Sequence, residues 1–298
     1  MTRSQREALQ RFEREVLSLR QGRTRELHRR HVRAFLDALD VAPSQITARH
    51  VEAHLAQLAA FAASTQARVL SSLRVFCCFL VAEGTLATDP TKGLRVRVPE
   101  QARLVLSQGQ VQRLLRSALD ENPSSWRWPV ALRNRALLEL LYCLGLRRAE
   151  AVAAQVADLD LARGALLVRR VKCAEHGVLP LPPAALEAVR SYLRAGRPRL
   201  IRGRDSGRLL VSVRGRALAP TDVSRIVRQV GQGAGVEVHA HALRRACATH
   251  LVEAGVDLRT VQLVLGHGSL EHTARYVGVR QEEVRQSIDR LNGVGCRL

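Results

Sequence analysis

Apolar side chains recur at three- and four-residue intervals through most of this chain, the spacing that lines one face of an α-helix. Over Thr24 to Leu39 they fall at Leu27, Val32, Phe35, Leu36 and Leu39. A second run follows Ile46-Thr47, with Val51, Leu55, Leu58 and Phe61. A third carries Val69, Leu70, Leu73, Phe76 and Leu80, with Ser64 or Thr65 as its expected cap and Gly84 as its stop. Asp89-Pro90 breaks the pattern, and residues 91–105 read as extended and basic. The expected organisation is a helical domain over 1–98, a linker over 99–105 and a second domain over 106–298.

The second domain mixes periods. Ser107 caps a helix through Leu119, and Asn134 to Leu144 is helical, with Leu137, Leu140, Leu141 and Leu144 on one face and Gly145 as stop. Ala165 to Val171 and Val178 to Leu181 read as strands joined by a turn near Ala174 to Gly177. Helices then follow from Pro183 to about Leu193, Thr221 to Gln232, His241 to Ala254, and Asp257 to Leu265 with Gly266 behind it. A short segment from Ser269 to Val277 precedes an amphipathic tail, Gln281 to Leu291. The fold class is mainly α with a small β-sheet: an all-α N-terminal domain and a mixed α+β C-terminal one.

Composition narrows the function. The 298 residues are 46% hydrophobic, enough for a sizeable core, and include 47 Lys+Arg against 27 Asp+Glu, a formal charge of +20. Such an excess calls for a polyanionic partner, most simply nucleic acid. Both halves carry it: 16 basic and 9 acidic residues over 1–98, and 31 and 18 over 99–298. The longest apolar run, Val75 to Ala82, is too short to span a bilayer, and the N-terminus has no apolar signal segment. Cys77, Cys78, Cys143, Cys173, Cys247 and Cys296 make neither a metal spacing nor a disulfide framework. The expectation is a reduced, soluble, cytoplasmic protein associated with the nucleoid, without membrane, metal or cofactor.

Only two of the basic residues are lysines, Lys92 and Lys172. Lysine, unlike arginine, can lose its proton within reach of physiological pH, as a general acid must. Lys172 ends an expected strand and enters the turn. Arg147, in Gly145-Leu-Arg-Arg-Ala-Glu150, opens a helix after a glycine stop, where a fork of donors can meet an anion. In His241-Ala-Leu-Arg244 the spacing puts both side chains on one helical face. Leu265-Gly-His267 is followed nine residues on by Tyr276. Tyr142 and Tyr192 lie within helical runs, so Tyr276 is the one tyrosine in a polar segment near a histidine. His239 and His272 match no motif position and read as structural.

These residues, in this order, resemble the Arg–Lys–His-x-x-Arg–His–Tyr pattern of the tyrosine recombinases, the phage integrase family. Arg133 to Glu150 resembles the family's first arginine box; His241 to Leu251 and Val264 to His267 resemble its second. The N-terminal helices ending at Asp89-Pro90 resemble its core-binding domain, so the likeness runs through nearly the whole chain. Three positions depart from the pattern: Cys173 follows the turn lysine, Ala174-Glu-His-Gly177 replaces a basic turn, and Arg245 stands where histidine is common.

The resemblance implies a site-specific recombinase that cuts double-stranded DNA through a 3′-phosphotyrosyl intermediate and a Holliday junction. Arg147, Arg244 and His267 would bind the phosphate, Tyr276 attack it, His241 act as base and Lys172 as acid, with Glu150 supporting the arginines from behind. It further implies a tetramer on DNA, of one chain or mixed with a related recombinase, held by the tail. A type IB topoisomerase and a DNA-binding regulator without catalysis are the competing readings.

Overall fold

The computed structural model describes residues 1–19, 22–99, 105–119, 122, 124–169, 176–201, 203, 205–266 and 288. The chain divides into two compact units, Met1–Ala102 and Arg103–Leu298.

The first unit is helical. Arg3–Phe12 (α1) opens on Thr2, whose hydroxyl accepts from Gln5 N while the Gln5 side chain accepts from Thr2 N. Gly22–Asp37 (α2), Ala48–Gln57 (α3) and Ala63–Ala82 (α4) follow. Phe12, Val32, Phe35, Leu36, Val51, Leu73, Phe76 and Leu80 close the core between them. Two expectations need correction. The third helix starts at Ala63, one residue before Ser64, with Ala62 as N-cap and no side-chain cap. The second ends at Gln57, which leaves Phe61 exposed rather than on an apolar face. At 20 residues α4 is long and apolar enough to cross a membrane, but its apolar face, Val69 to Leu80, is the core of this unit.

A feature absent from the sequence reading is a set of buried histidines. His28 and His31 extend the buried stripe of α2 backwards by one turn from Val32, and His54 on α3 meets the ring of Phe35 at 5.3 Å. His31 Nδ1 bonds the Ser72 hydroxyl of α4 at 2.9 Å. Burial lowers the pKa of His31 and of His54, so both favour the neutral form.

The second unit surrounds Trp128–Cys143 (α6), preceded by Gln108–Ser117 (α5), which Ser107 caps as expected. The short Arg148–Ala153 (α7) leads to an antiparallel sheet of Leu159–Asp160 (β1), Ala165–Arg169 (β2) and His176–Pro180 (β3), in that order. Gly177, expected in the turn, pairs with Val168 inside β3, and β1 is too short to have a period. Pro183–Ser191 (α8) continues through a π-helical turn into Arg197–Leu200 (α9). Pro220–Gly233 (α10), Ala240–Glu253 (α11) and Leu258–Leu265 (α12) complete the described helices, the last capped by Asp257 and stopped by left-handed Gly266. Of the tail, Ile288 is described; it is buried in this unit's core. The expected segment Ser269 to Val277 and the rest of the tail lie outside the described residues.

Candidate active site

The site is built where the end of α6, the start of α7, the body of α11 and the end of α12 meet. Gly145 makes that meeting possible. Its φ is +56°, and a Cβ there would lie 2.4 Å from Leu265 Cδ2 and 3.3 Å from Cys247 Sγ. Only a residue without a side chain turns the backbone this sharply and lets α12 approach this closely.

Arg244 crosses that junction. It is 4% exposed; one amino group donates to the Gly145 carbonyl and the other to the Leu265 carbonyl. The guanidinium thereby ties α11 to the ends of α6 and α12 and is itself fixed. Arg147 sits at the start of α7. Its backbone N–H donates to Glu150 Oε2 at 2.7 Å, its Nη1 to Glu150 Oε1 at 2.7 Å, and its Nη2 to the Gly266 carbonyl at 3.3 Å. Its side chain remains 36% exposed, so further N–H donors of the fork stay uncommitted.

Glu150 links the two arginines. Its buried carboxylate binds Arg147 directly and lies 3.9 Å from Arg244 Nη1. One carboxylate thus faces two guanidiniums, leaving a net positive cradle with fixed donors, the requirement for binding an anion.

His241 lies one turn before Arg244 on α11 and is exposed. Local desolvation and the charges of Arg244, Arg245, His239 and Arg147 hold its pKa below the ordinary histidine value. Near neutral pH its ring is therefore uncharged, with a lone pair able to take a proton. His239, expected to be structural, is the N-cap of α11: its Nδ1 accepts from Ala242 N at 3.0 Å.

The other two tyrosines of the chain are committed inside the fold. Tyr142 Oη bonds His250 Nδ1 at 3.0 Å, and Tyr192 Oη accepts from Val211 N at 3.3 Å; both rings are buried. Nor is the Cys247 thiol beside Gly145 reactive, since burial pushes its pKa up to about 12.

Four of the seven candidate residues, Arg147, Glu150, His241 and Arg244, are thus brought together. Lys172, His267 and Tyr276 lie outside the described residues. In the sequence Lys172 falls between β2 and β3, and His267 is the next residue after Gly266, the carbonyl partner of Arg147. The carbonyl hooks of Arg244 and the cross-link from Arg148 Nη1 on α7 to the Ser224 hydroxyl on α10 were not read from sequence. Backbone acceptors carry no residue signature. Among the described residues no cluster of side chains suits a metal ion.

Comparison with known proteins gives the family. The model of the phage integrase family matches residues 105–283, and that of the phage integrase N-terminal SAM-like domain matches residues 9–84. A tyrosine recombinase XerC of Mycobacterium sp. (strain KMS) is 36% identical over 238 residues, covering 78% of this chain and 77% of the relative. A tyrosine recombinase XerD of Mycobacterium tuberculosis (strain CDC 1551 / Oshkosh) is 37% identical over 234 residues, covering 76% and 74%. Among solved structures, a lambda integrase tetramer bound to a Holliday junction shares the fold, with a TM-score of 0.69 at 21% identity over 89% of this chain and 77% of that one. Matched along both units by family models and by relatives at this identity, the chain belongs to the phage integrase family of tyrosine recombinases.

Proposed function

We propose that this chain recombines double-stranded DNA at specific sites by transferring a strand to Tyr276 and back. The observation that carries the reading is the pair Arg147 and Arg244, held by one buried carboxylate beside an uncharged His241. A phosphodiester repels nucleophiles, and its transition state spreads further charge over the non-bridging oxygens. Fixed guanidiniums aimed at those oxygens stabilise it without reorganising during the reaction. By analogy with arginine fingers, each contributes on the order of 10³-fold or more in rate.

Tyr276 Oη attacks phosphorus and His241 takes its proton, because a phenol with a pKa of about 10 is a weak nucleophile unaided. His267 adds a donor to the phosphate. The bond to the 5′ oxygen breaks, Lys172 supplies the proton, and the products are a 3′-phosphotyrosyl adduct and a free 5′ hydroxyl. Attack by a 5′ hydroxyl of the partner duplex reverses the chemistry, so the covalent link conserves the bond energy and no cofactor is consumed.

The first unit, with its excess of basic residues, grips the duplex together with the catalytic unit, and the complex assembles as a tetramer of this chain or with a related recombinase. A lambda integrase is known as such a tetramer on a Holliday junction, which supports the assembly. Its setting is the cytoplasm, at the nucleoid. Because Ile288 is buried in its own unit, tail exchange between subunits requires releasing that contact.

The test has two stages. Sequencing the DNA left attached to the protein after denaturing lysis of its host gives the cleavage site. Two copies of that site on one supercoiled plasmid should then exchange strands. Relaxation at scattered sites without exchange marks a topoisomerase, and neither outcome in either stage contradicts DNA cleavage altogether.

A further inference from the structure

Helix α11 carries His241, Arg244 and Arg245 at i, i+3 and i+4, along one edge of the helix. The two adjacent arginines have different surroundings. Arg244 turns inward and is bound to two carbonyls. Arg245 is half-buried, its Nε is shielded from solvent, and that N–H has no hydrogen-bond partner. Among the described residues no carboxylate lies within ion-pair distance of it.

The other desolvated arginines of this unit are provided for. Arg133 binds Asn134 and the Val211 carbonyl, Arg135 binds Glu139 and the Leu115 carbonyl, and Arg197 binds Asp205. Arg245 is therefore the exception: a partly desolvated cation with no counter-charge among the described residues. Its position is not neutral ground either. Its charge reaches His241, alongside those of Arg244 and Arg147, so it belongs to the same electropositive cluster. A cation left short of a partner beside an anion-binding cradle is completed when an anion arrives.

We infer that Arg245 is a further DNA-contacting residue, whose guanidinium binds a backbone phosphate next to the one that is cut. The inference rests on the reading of this chain as a DNA recombinase. A fork at this point fixes the register of the duplex over the cradle.

The experiment compares the full-length protein with Arg245→Met and Arg245→Lys on a duplex bearing the mapped cleavage site. Binding is measured against salt concentration, and both variants are checked for folding by tryptophan fluorescence. Arg245→Met should flatten the log–log salt slope by about 0.9, one phosphate's worth, while Arg245→Lys, which keeps the charge, should retain the slope and lose affinity. A series of duplexes, each with one neutral methylphosphonate, then locates the contact. One position flanking the cut should weaken the wild type and add nothing to the loss in Arg245→Met. If the slopes agree within error, or every methylphosphonate adds fully to the variant's loss, Arg245 does not bind phosphate. If the wild type itself neither binds nor cleaves, the recombinase reading fails instead. Arg245→Gln, read in the same way, replaces Arg245→Met should that variant not fold.

Discussion

Replacing Glu150 with glutamine keeps the shape of the junction and removes its one shared negative charge. The carboxylate accepts from Arg147 twice, at 2.7 Å each, and faces Arg244 Nη1 at 3.9 Å. Glutamine keeps a single acceptor, so one of the two Arg147 bonds is lost and an amide N–H₂ is turned towards a donor. A charge-assisted hydrogen bond of this kind contributes about 1.5–3 kcal/mol. Breaking a fully buried ion pair costs about 3–5 kcal/mol. Arg147 is partly solvated and Arg244 keeps both carbonyls, so the lower part of the combined range applies, about 1.5–3 kcal/mol. The functional effect should be separable from the stability effect. Taking away a negative charge cannot weaken attraction for DNA, whereas loosening two guanidiniums removes fixed donors from the transition state. Glu150→Gln should therefore leave the dissociation constant unchanged or lower, and slow single-turnover cleavage by about 10²-fold or more. Urea unfolding followed by fluorescence measures the stability term, since both tryptophans, Trp126 and Trp128, lie in the second unit. Unaltered cleavage, or equal losses in binding and cleavage, would refute the assignment of Glu150 as the group that positions the arginines.

Three further outcomes follow from the same geometry. Gly145→Ala combines a left-handed backbone with a Cβ 2.4 Å from Leu265 Cδ2, and strain plus overpacking should cost about 2–6 kcal/mol in the same unfolding assay; an unchanged midpoint would contradict the close approach of α12. In the first unit, His31 and His54 have pKa values below the ordinary one, chiefly through burial. The unfolded chain binds those protons more readily, so stability is complete above the unfolded pKa of about 6.5 and is lost as pH falls through it. Amide exchange over α2 and α4 should accelerate accordingly, and His54→Leu should flatten that dependence. Lys172→Ala should lose cleavage by about 10²–10⁴-fold and regain it on a 5′-bridging phosphorothiolate, whose leaving group needs no proton; absence of rescue removes the general-acid role.

What could be read from sequence was what local chemistry encodes. Ser107 and Asp257 cap their helices, and Gly145 and Gly266 stop theirs, because a side-chain acceptor or a left-handed backbone is a property of one residue type at one position. The start of α4 was misplaced because Ala62 supplies no cap of its own, and the nearby Ser64 and Thr65 offered a false one. Helix α1 went unread although Thr2 and Gln5 form a capping box, a signal that a search for that spacing would have found. The histidines of the first core escaped notice because a polar residue interrupts an apolar stripe on paper but not in space. In the second unit, the motif pointed to Arg147, Glu150, His241 and Arg244 as one group, and the fold brings them together. What the motif could not express is how they are held: Arg244 is anchored by the carbonyls of Gly145 and Leu265, at sequence separations of 99 and 21. Contacts to backbone depend on tertiary path and leave no mark on residue identity.

The claim on which the account stands is that Tyr276 carries the DNA strand. A duplex nicked just beyond the cleavage site loses the short 5′-hydroxyl fragment on cutting, so religation cannot erase the product. Incubated with this substrate, the protein should form a species resistant to denaturing detergent, and peptide mapping should find the nucleotide on Tyr276. Tyr276→Phe should bind the same duplex and give no adduct. An adduct that survives in Tyr276→Phe, or that maps to another residue, would contradict the account.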